Sequence, residues 1–339
     1  MSLGREEQRS LRDHPTNIAA YDEYLRARHL LRRRTIRDAR RAIELLEAAV
    51  KRDPNSGAAY AALGFAYISV PILEGPTLPF MTLGRNAAQR ALELDPTIAE
   101  AHSVLGRVMV HYDWDAEAGD RESRRGLELE PDNLFVLHCY SLILADEGRF
   151  EDALRLVDRQ LALEPTSVSA NRDKAYILYL ARRYDESVQQ ARRSLELDPH
   201  DGGAYFVLAQ AYEQLGRYDE AIDAYLTPLT FSEANREMVA ALRAAVNTGG
   251  LKGYWQRRLQ FMLEAPEIRM RSVASAYVRI GDYDRAFDWL EKLYAERGAQ
   301  MRTLKVNPMW DPIRADARFQ SLLRRINMAP ASTSLLLQR

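Results

Sequence analysis

Apolar positions recur along this chain at helical spacing, and run after run is closed by the same ending. Leu-x-Leu-acid-Pro ends at Pro96 (LELDP), Pro131 (LELEP), Pro165 (LALEP) and Pro199 (LELDP), in steps of 35, 34 and 34 residues, and a weaker copy, KRDP, ends at Pro54. A fixed period in this range is the signature of a stacked repeat architecture. Within the unit from Leu134 to Pro165, Tyr140, Ser141 and Leu144 sit at helical spacing. Gly148-Arg149-Phe150 interrupts, and Ala153, Val157 and Leu161 then resume the period. The unit therefore reads as two antiparallel helices joined by a tight turn.

The punctuation agrees with that reading. Gly148 supplies the left-handed residue that closes a first helix. Pro165 cannot continue the second helix and biases Glu164 toward extended geometry. Asn55 and Ser56, Asp132 and Asn133, Thr166 and Ser167, and Asp201 offer caps for the helices that follow. Small residues fall where helices must approach, as in Tyr205, Leu208, Ala209, Tyr212, Gly216, Tyr218, Ala221 and Tyr225.

This last pattern resembles the tetratricopeptide repeat, with its large-Leu-small-aromatic run in the first helix and Ala-aromatic-Ala run in the second. Tyr60-Leu63-Gly64-Tyr67 with Ala91-Pro96, His102-Leu105-Gly106, and Gly281-Tyr283-Ala286 match in other units, from about Ile18 to Arg297. The ends, NIAAYDEYLRARHLLRRRT and TLKVNPMWDPIRADARFQSLLRRI, are similar to the two ends of a repeat region found in bacterial signalling proteins behind a winged-helix, protein-kinase or cyclase-like domain. That resemblance implies either a free-standing relative or the carboxyl-terminal part of something longer.

The expected fold is thus all-α: a right-handed α-solenoid of helix-turn-helix repeats with a C-terminal helical extension and a capping helix. The boundaries expected are a polar lead over 1–17, an array of about six repeats over 18–229, an extension over 230–328 and a loose tail over 329–339. The array carries an insert over 69–81 with Pro71, Pro76 and Pro79. The extension holds a further hairpin over 267–297 and a cap built on Phe319, Leu322, Leu323 and Ile326. Five departures stand out. Extra residues lie in the first turn (32–37). Gly119, Ser123 and Gly126 should weaken their helix by up to about 1 kcal/mol per glycine. Arg182-Arg183-Tyr184 stands where a turn glycine is expected, and Pro228 should end the regular array near Leu226. Asn247-Thr248-Gly249-Gly250 marks a break between two later helices.

Composition narrows the class. A net charge of −1 argues against a general polyanion binder. The single cysteine, Cys139, rules out an intramolecular disulfide framework and reads as a small core residue. No apolar run is long enough to span a bilayer, so the expected setting is cytoplasmic if the chain is a complete protein. Of the 47 Lys plus Arg, five are lysine (Lys51, Lys174, Lys252, Lys292, Lys305), which leaves 42 arginines. They are spread over the whole chain, so base composition of the genome accounts for them better than phosphate recognition does.

The resemblance points to the concave face, lined by successive first helices, as the binding surface. Carried over position by position, it is formed by Phe65, by Arg107 and His111, by His138 and Leu142, by Arg172, Tyr176 and Tyr179, and by Phe206, Gln210 and Glu213. Aromatic faces there would bury partner side chains, and arginines would pair with a carboxylate. A chaperone-tail clamp is disfavoured, because the matching positions hold Phe206, Val207 and Gln210 in place of lysine and asparagine. The arginines of 26–41 are interleaved with Leu30, Leu31, Ile36, Ala39 and Ile43, so a solvated face or docking edge outweighs a nucleic-acid patch. The apolar insert suits packing slightly better than a lid. His111 and His138 without a placed carboxylate make a weak metal pair. No phosphate-binding glycine loop, nucleophile elbow or metalloprotease motif occurs.

The function expected is a protein–protein interaction scaffold, not an enzyme. It holds a peptide or helix of a protein partner in the concave groove, with a regulatory role in bacterial signalling and no cofactor or metal. No membrane partner is expected, nucleic acid is disfavoured, and a homo-oligomer is compatible with the sequence. Two alternatives stay open: an architectural or oligomerising solenoid, and a small-molecule-sensing array.

Overall fold

Helix follows helix through the whole molecule, and the reason lies in the repeat itself. A hairpin of two helices has one apolar face it cannot cover, so only a neighbouring hairpin makes it stable. The structure, a computed structural model, describes residues 17–32, 35–72 and 77–328, with the side chain of Ile72 left aside. The lead through residue 16, positions 33–34 of the first turn, 73–76 of the insert and the tail over 329–339 lie outside the described residues.

The array is built from α1 (Ile18–Arg32) and α2 (Ile36–Arg52), α3 (Gly57–Ile72) and α4 (Phe80–Leu94), α5 (Ala99–Val108) and α6 (Ala116–Leu129). It continues with α7 (Leu134–Asp146) and α8 (Phe150–Leu163), α9 (Val168–Leu180) and α10 (Tyr184–Leu197), α11 (Gly202–Gln214) and α12 (Tyr218–Leu226). The first helix of each hairpin contacts the first helix of the next, from α1 to α3 through to α9 and α11, which makes these helices the inner wall. The second helices α2, α4, α6, α8 and α10 each bridge to the first helix of the following hairpin.

The regular array ends at Leu226, where Pro228 opens a 3-10 turn over Thr227–Phe231. Next comes α13 (Arg236–Glu264), broken into two helices at Gly250, whose φ of 54° is left-handed. A further hairpin follows, α14 (Met270–Ile280) and α15 (Tyr283–Ala295). Two 3-10 segments, Ala299–Leu304 and Pro308–Ile313, lead to the last helix, α16 (Ala317–Arg325). Phe319, Leu322, Leu323 and Ile326 are all buried at its apolar side, while Arg325 and Arg318 on α16 pair with Glu291 and Asp284 of α15.

The glycines of the third hairpin do the opposite of what propensity suggests. A Cβ on Gly119 would lie 2.8 Å from the Gly106 carbonyl oxygen, and one on Gly106 would lie 2.9 Å from that of Gly119. The two helices touch backbone to backbone, so loss of intrinsic helicity is offset by closer packing. Part of the insert joins the core: Val70 and Met81 are fully buried, whereas Leu78 is exposed.

Ala221 lies on α12 with no exposed surface. Ala221→Trp should overpack this contact and lower stability by about 1–3 kcal/mol. An unchanged denaturant midpoint would contradict this register.

Candidate functional site

The inner wall is not an open groove. After α15 the chain turns back across it as a strap over residues 299–313, and the wall's polar side chains meet the strap one after another. Nearest the second hairpin, the Gln300 side-chain amide donates to the Pro71 carbonyl of α3. His111 Nδ1 donates to the Ala299 carbonyl at 3.2 Å. Arg302 reaches Glu147, the residue just beyond α7, and donates to the Ile326 carbonyl at 3.3 Å. Tyr179 of α9 donates its hydroxyl to Asn307 Oδ1 at 3.2 Å. Asp311 takes a two-pronged contact from Arg182 in the turn after α9, with Nη2 to Oδ1 at 2.9 Å.

Apolar side chains fill the space between these pairs. Met301, Leu304 and Trp310 have no exposed surface, and Ile313 is nearly as buried. Burial of each such side chain stabilises by about 1.5–3 kcal/mol relative to its exposure, so the strap is part of the core.

Most of the residues expected to line an open groove are therefore covered. Arg107, His111, Leu142, Tyr179 and Gln210 are buried. Phe65 packs edge-on against Phe135, with ring centroids 4.6 Å apart. Two others are held within the array: His138 Nδ1 lies 2.7 Å from Asp173 Oδ2, and Arg172 donates to Asp201 Oδ1 at 2.7 Å. Tyr176 lies half-buried beside Tyr179, their centroids 6.5 Å apart. Glu213 is gripped by the extension. Arg279 of α14 donates to its Oε2 at 2.8 Å and Trp255 Nε1 to its Oε1 at 2.9 Å, while the guanidinium lies 4.4 Å from the Trp255 ring centroid. Phe206 alone of the set stays exposed, set edge-on to Tyr225. The expectation of an accessible concave face is corrected on physical grounds: an inner wall rich in Tyr, Leu, Arg and His is covered by the strap and by the extension.

The strap's side of the site was not found from sequence, since Arg302, Asn307, Trp310 and Asp311 carry no helical period. One signal was present. The turns of the fourth and sixth hairpins use Gly148 and Gly216 at φ 82° and 71°, whereas the fifth uses Arg182 at φ 63°. The hydrogen bonds are the same in all three turns, with Arg149, Arg183 and Arg217 donating backbone N–H to Leu144, Leu178 and Tyr212. A side chain tolerated in the left-handed region points to a role for that side chain, here the contact with Asp311.

Charge inside the closed space is unusual. Burial pushes the Asp146 carboxyl up to about 7, against the pull of Arg107, Arg302 and Arg271. Burial, and then the charges of Arg107 and Arg302, hold His111 well below its ordinary range, so its imidazole is neutral. With Nδ1–H given to Ala299, the His111 Nε2 lone pair faces Asp146 Oδ2 at 3.7 Å. At Asp311, burial works to raise the carboxyl, but the hydrogen bonds from Arg182 and Arg314 prevail and hold it below the usual range. Among the described residues no group of His, Cys, Asp and Glu is arranged to hold a metal, and no helix is long and apolar enough to cross a membrane.

Comparison with known proteins bears on this architecture. The family model for the anaphase-promoting complex, cyclosome, subunit 3 matches residues 146–227, which run from the end of α7 through α12. The repeats are of the tetratricopeptide type. The type IV pilus assembly protein PilF of Pseudomonas aeruginosa is 30% identical over 95 residues, covering 28% of this chain and 34% of the relative. The match thus spans about a third of that relative's length. The human IFIT1 dimer with PPP-AAAA has a similar fold, at a TM-score of 0.51 and 14% identity, over 86% of this chain and 69% of that one. The solved structure of Pseudomonas aeruginosa PilF covers 69% of this chain and 99% of its own, at a TM-score of 0.47 and 18% identity.

Two outcomes follow from the site. Arg182→Gly relieves the left-handed strain but removes the anchor of Asp311. Amides of 299–313 should exchange several-fold faster, in line with about 1 kcal/mol for a half-exposed pair, while the array's helical signal holds. Asp146 binds its proton more tightly folded than unfolded, so stability should fall as pH rises from its ordinary value of 3.8 to about 7. Asp146→Asn should flatten that slope in denaturant titrations. Asp311 acts in the opposite sense and only below 3.8, so the two windows separate.

Proposed function

We propose that this protein is a non-enzymatic protein-interaction scaffold whose concave groove grips an extended segment, and that the segment it grips at rest is its own. The observation that supports this reading is the run of specific pairs along the inner wall: His111 with Ala299, Tyr179 with Asn307, and Arg182 with Asp311. These are the contacts a peptide-binding groove makes, a backbone carbonyl, an amide and a carboxylate each met by a donor. A protein partner enters by exchange. It must carry a segment with the same chemistry, an amide and a carboxylate flanked by large apolar side chains, because the burial it displaces is worth several such side chains.

The regulatory role, in bacterial signalling and in the cytoplasm, rests on the resemblance of the chain's two ends and not on the geometry. Self-occupation of the groove suits such a role, since an unpartnered scaffold of this kind stays closed.

The test is competition in trans. A labelled peptide of residues 299–313 should not bind the parent measurably. It should bind a variant whose own strap is loosened by Asn307→Ala and Asp311→Ala. If neither protein takes up the peptide although both remain helical, the groove does not exchange its occupant and this reading fails.

A further inference from the structure

The strap closes over two arginines whose N–H groups are only partly met among the described residues. Arg107 is 3% exposed, and its Nε and Nη1 have no hydrogen-bond partner among the described residues. Arg302 has no exposed surface; its two terminal nitrogens are used on Glu147 and the Ile326 carbonyl, and its Nε is unpartnered in the same way. The charges of both arginines act on the same pair, His111 and Asp146, and that of Arg271 acts on Asp146 from α14; Arg107 lies one turn before His111, which is bonded to Ala299, three residues before Arg302. His111 is neutral, and its donor is already spent on Ala299.

Burying a guanidinium with unmet N–H groups is costly, and most of the cost is that of the charge. Glu147 meets one terminal nitrogen of Arg302 and Asp115 acts on it from further off, but neither reaches Arg107, and burial keeps Asp146 largely protonated up to about pH 7. What would satisfy the two arginines must accept hydrogen bonds and carry negative charge, which describes an oxyanion. It must also be small, since Arg107, His111, Asp146 and Arg302 are each 5% exposed or less and no macromolecule reaches them.

We propose that the closed superhelix binds a small oxyanion, the phosphate or carboxylate of a free ion or metabolite, between Arg107 of the inner wall and Arg302 of the strap. The two arginines belong to different sides of the closure, so the anion ties the strap to the array. Its binding and the strap's closure are then linked, each favouring the other. The site does not depend on the peptide-exchange reading, because it requires only that the strap be closed.

The experiment is a thermal-shift and calorimetric titration of the full chain with inorganic phosphate, sulfate and succinate, against chloride at matched ionic strength. The parent should show a saturable rise in melting temperature of several degrees at about a hundredfold excess over Kd. Preference for phosphate and sulfate over succinate would assign the site to a tetrahedral ion, and the reverse to a carboxylate metabolite. Arg107→Met should melt at or above the ligand-free parent and lose the anion-dependent rise. Asp146→Asn should bind the same anion several-fold more tightly at pH 8, where the parent's carboxylate repels it. A parent indifferent to all three anions beyond the chloride effect overturns the proposal, as does an equal rise in parent and Arg107→Met. Should Arg107→Met not fold, unaltered affinity in Asp146→Asn overturns it alone.

Discussion

Everything in this molecule follows from the inability of a helix hairpin to cover its own apolar face. Each hairpin relies on the next, so helices must approach closely and the positions of contact are small: Ala42, Ala66, Ala88, Ala101, Ala153, Ala175, Ala191 and Ala221 are all fully buried. At Gly106 and Gly119 the approach is closer than any Cβ allows. Stacking in this manner brings every first helix to one side. It collects their aromatic and charged residues into a single inner wall, which then needs a cover of its own.

The cover is the strap over residues 299–313. It is not a regular element, because an inner wall of mixed polar and apolar character does not offer a continuous apolar seam for an amphipathic helix. Short 3-10 segments suit it better, since they are tight connectors that need no long apolar stripe. The same mixture explains the buried ions. Glu213 with Arg279 is buried where the extension docks, and Asp311 with Arg182 is partly exposed where the strap docks. A buried pair like the first adds little net stability, but it leaves a charge unmet if its partner shifts, so it holds the register of docking.

The hairpins were legible in the sequence because their information is periodic. Leu-x-Leu-acid-Pro marks the second helices α4, α6, α8 and α10, and glycine at 148, 216 and 281 marks the left-handed residue of the turn. The end of the array at Pro228, the break at Gly250 and the apolar side of α16 were readable for the same reason: each is a local rule of backbone or spacing. The expected inner-wall residues fall on first helices, or just beyond one in the case of His111, yet their exposure was not readable. Burial of Arg107 or Tyr179 depends on a segment more than a hundred residues away that carries no period. Gly119 misled for a related reason, since its intrinsic penalty is local and the contact it permits is not.

Arg182 shows where local and long-range demands meet. A left-handed arginine costs about 1–2 kcal/mol relative to glycine at such a turn, and the neighbouring hairpins avoid that cost. Its backbone hydrogen bonds are those of the glycine turns, so nothing within the fifth hairpin requires a side chain there. What requires it is Asp311, held between Arg182 and Arg314 on a strap that passes just at that turn. The strain and the ion pair are of similar size, which leaves the anchor close to neutral in net energy. An anchor of that kind sets where the strap lies while adding little to how tightly it is held. The grip itself comes from Trp310, Met301 and Leu304 beneath it, so position and strength of closure are carried by different residues and can be altered separately.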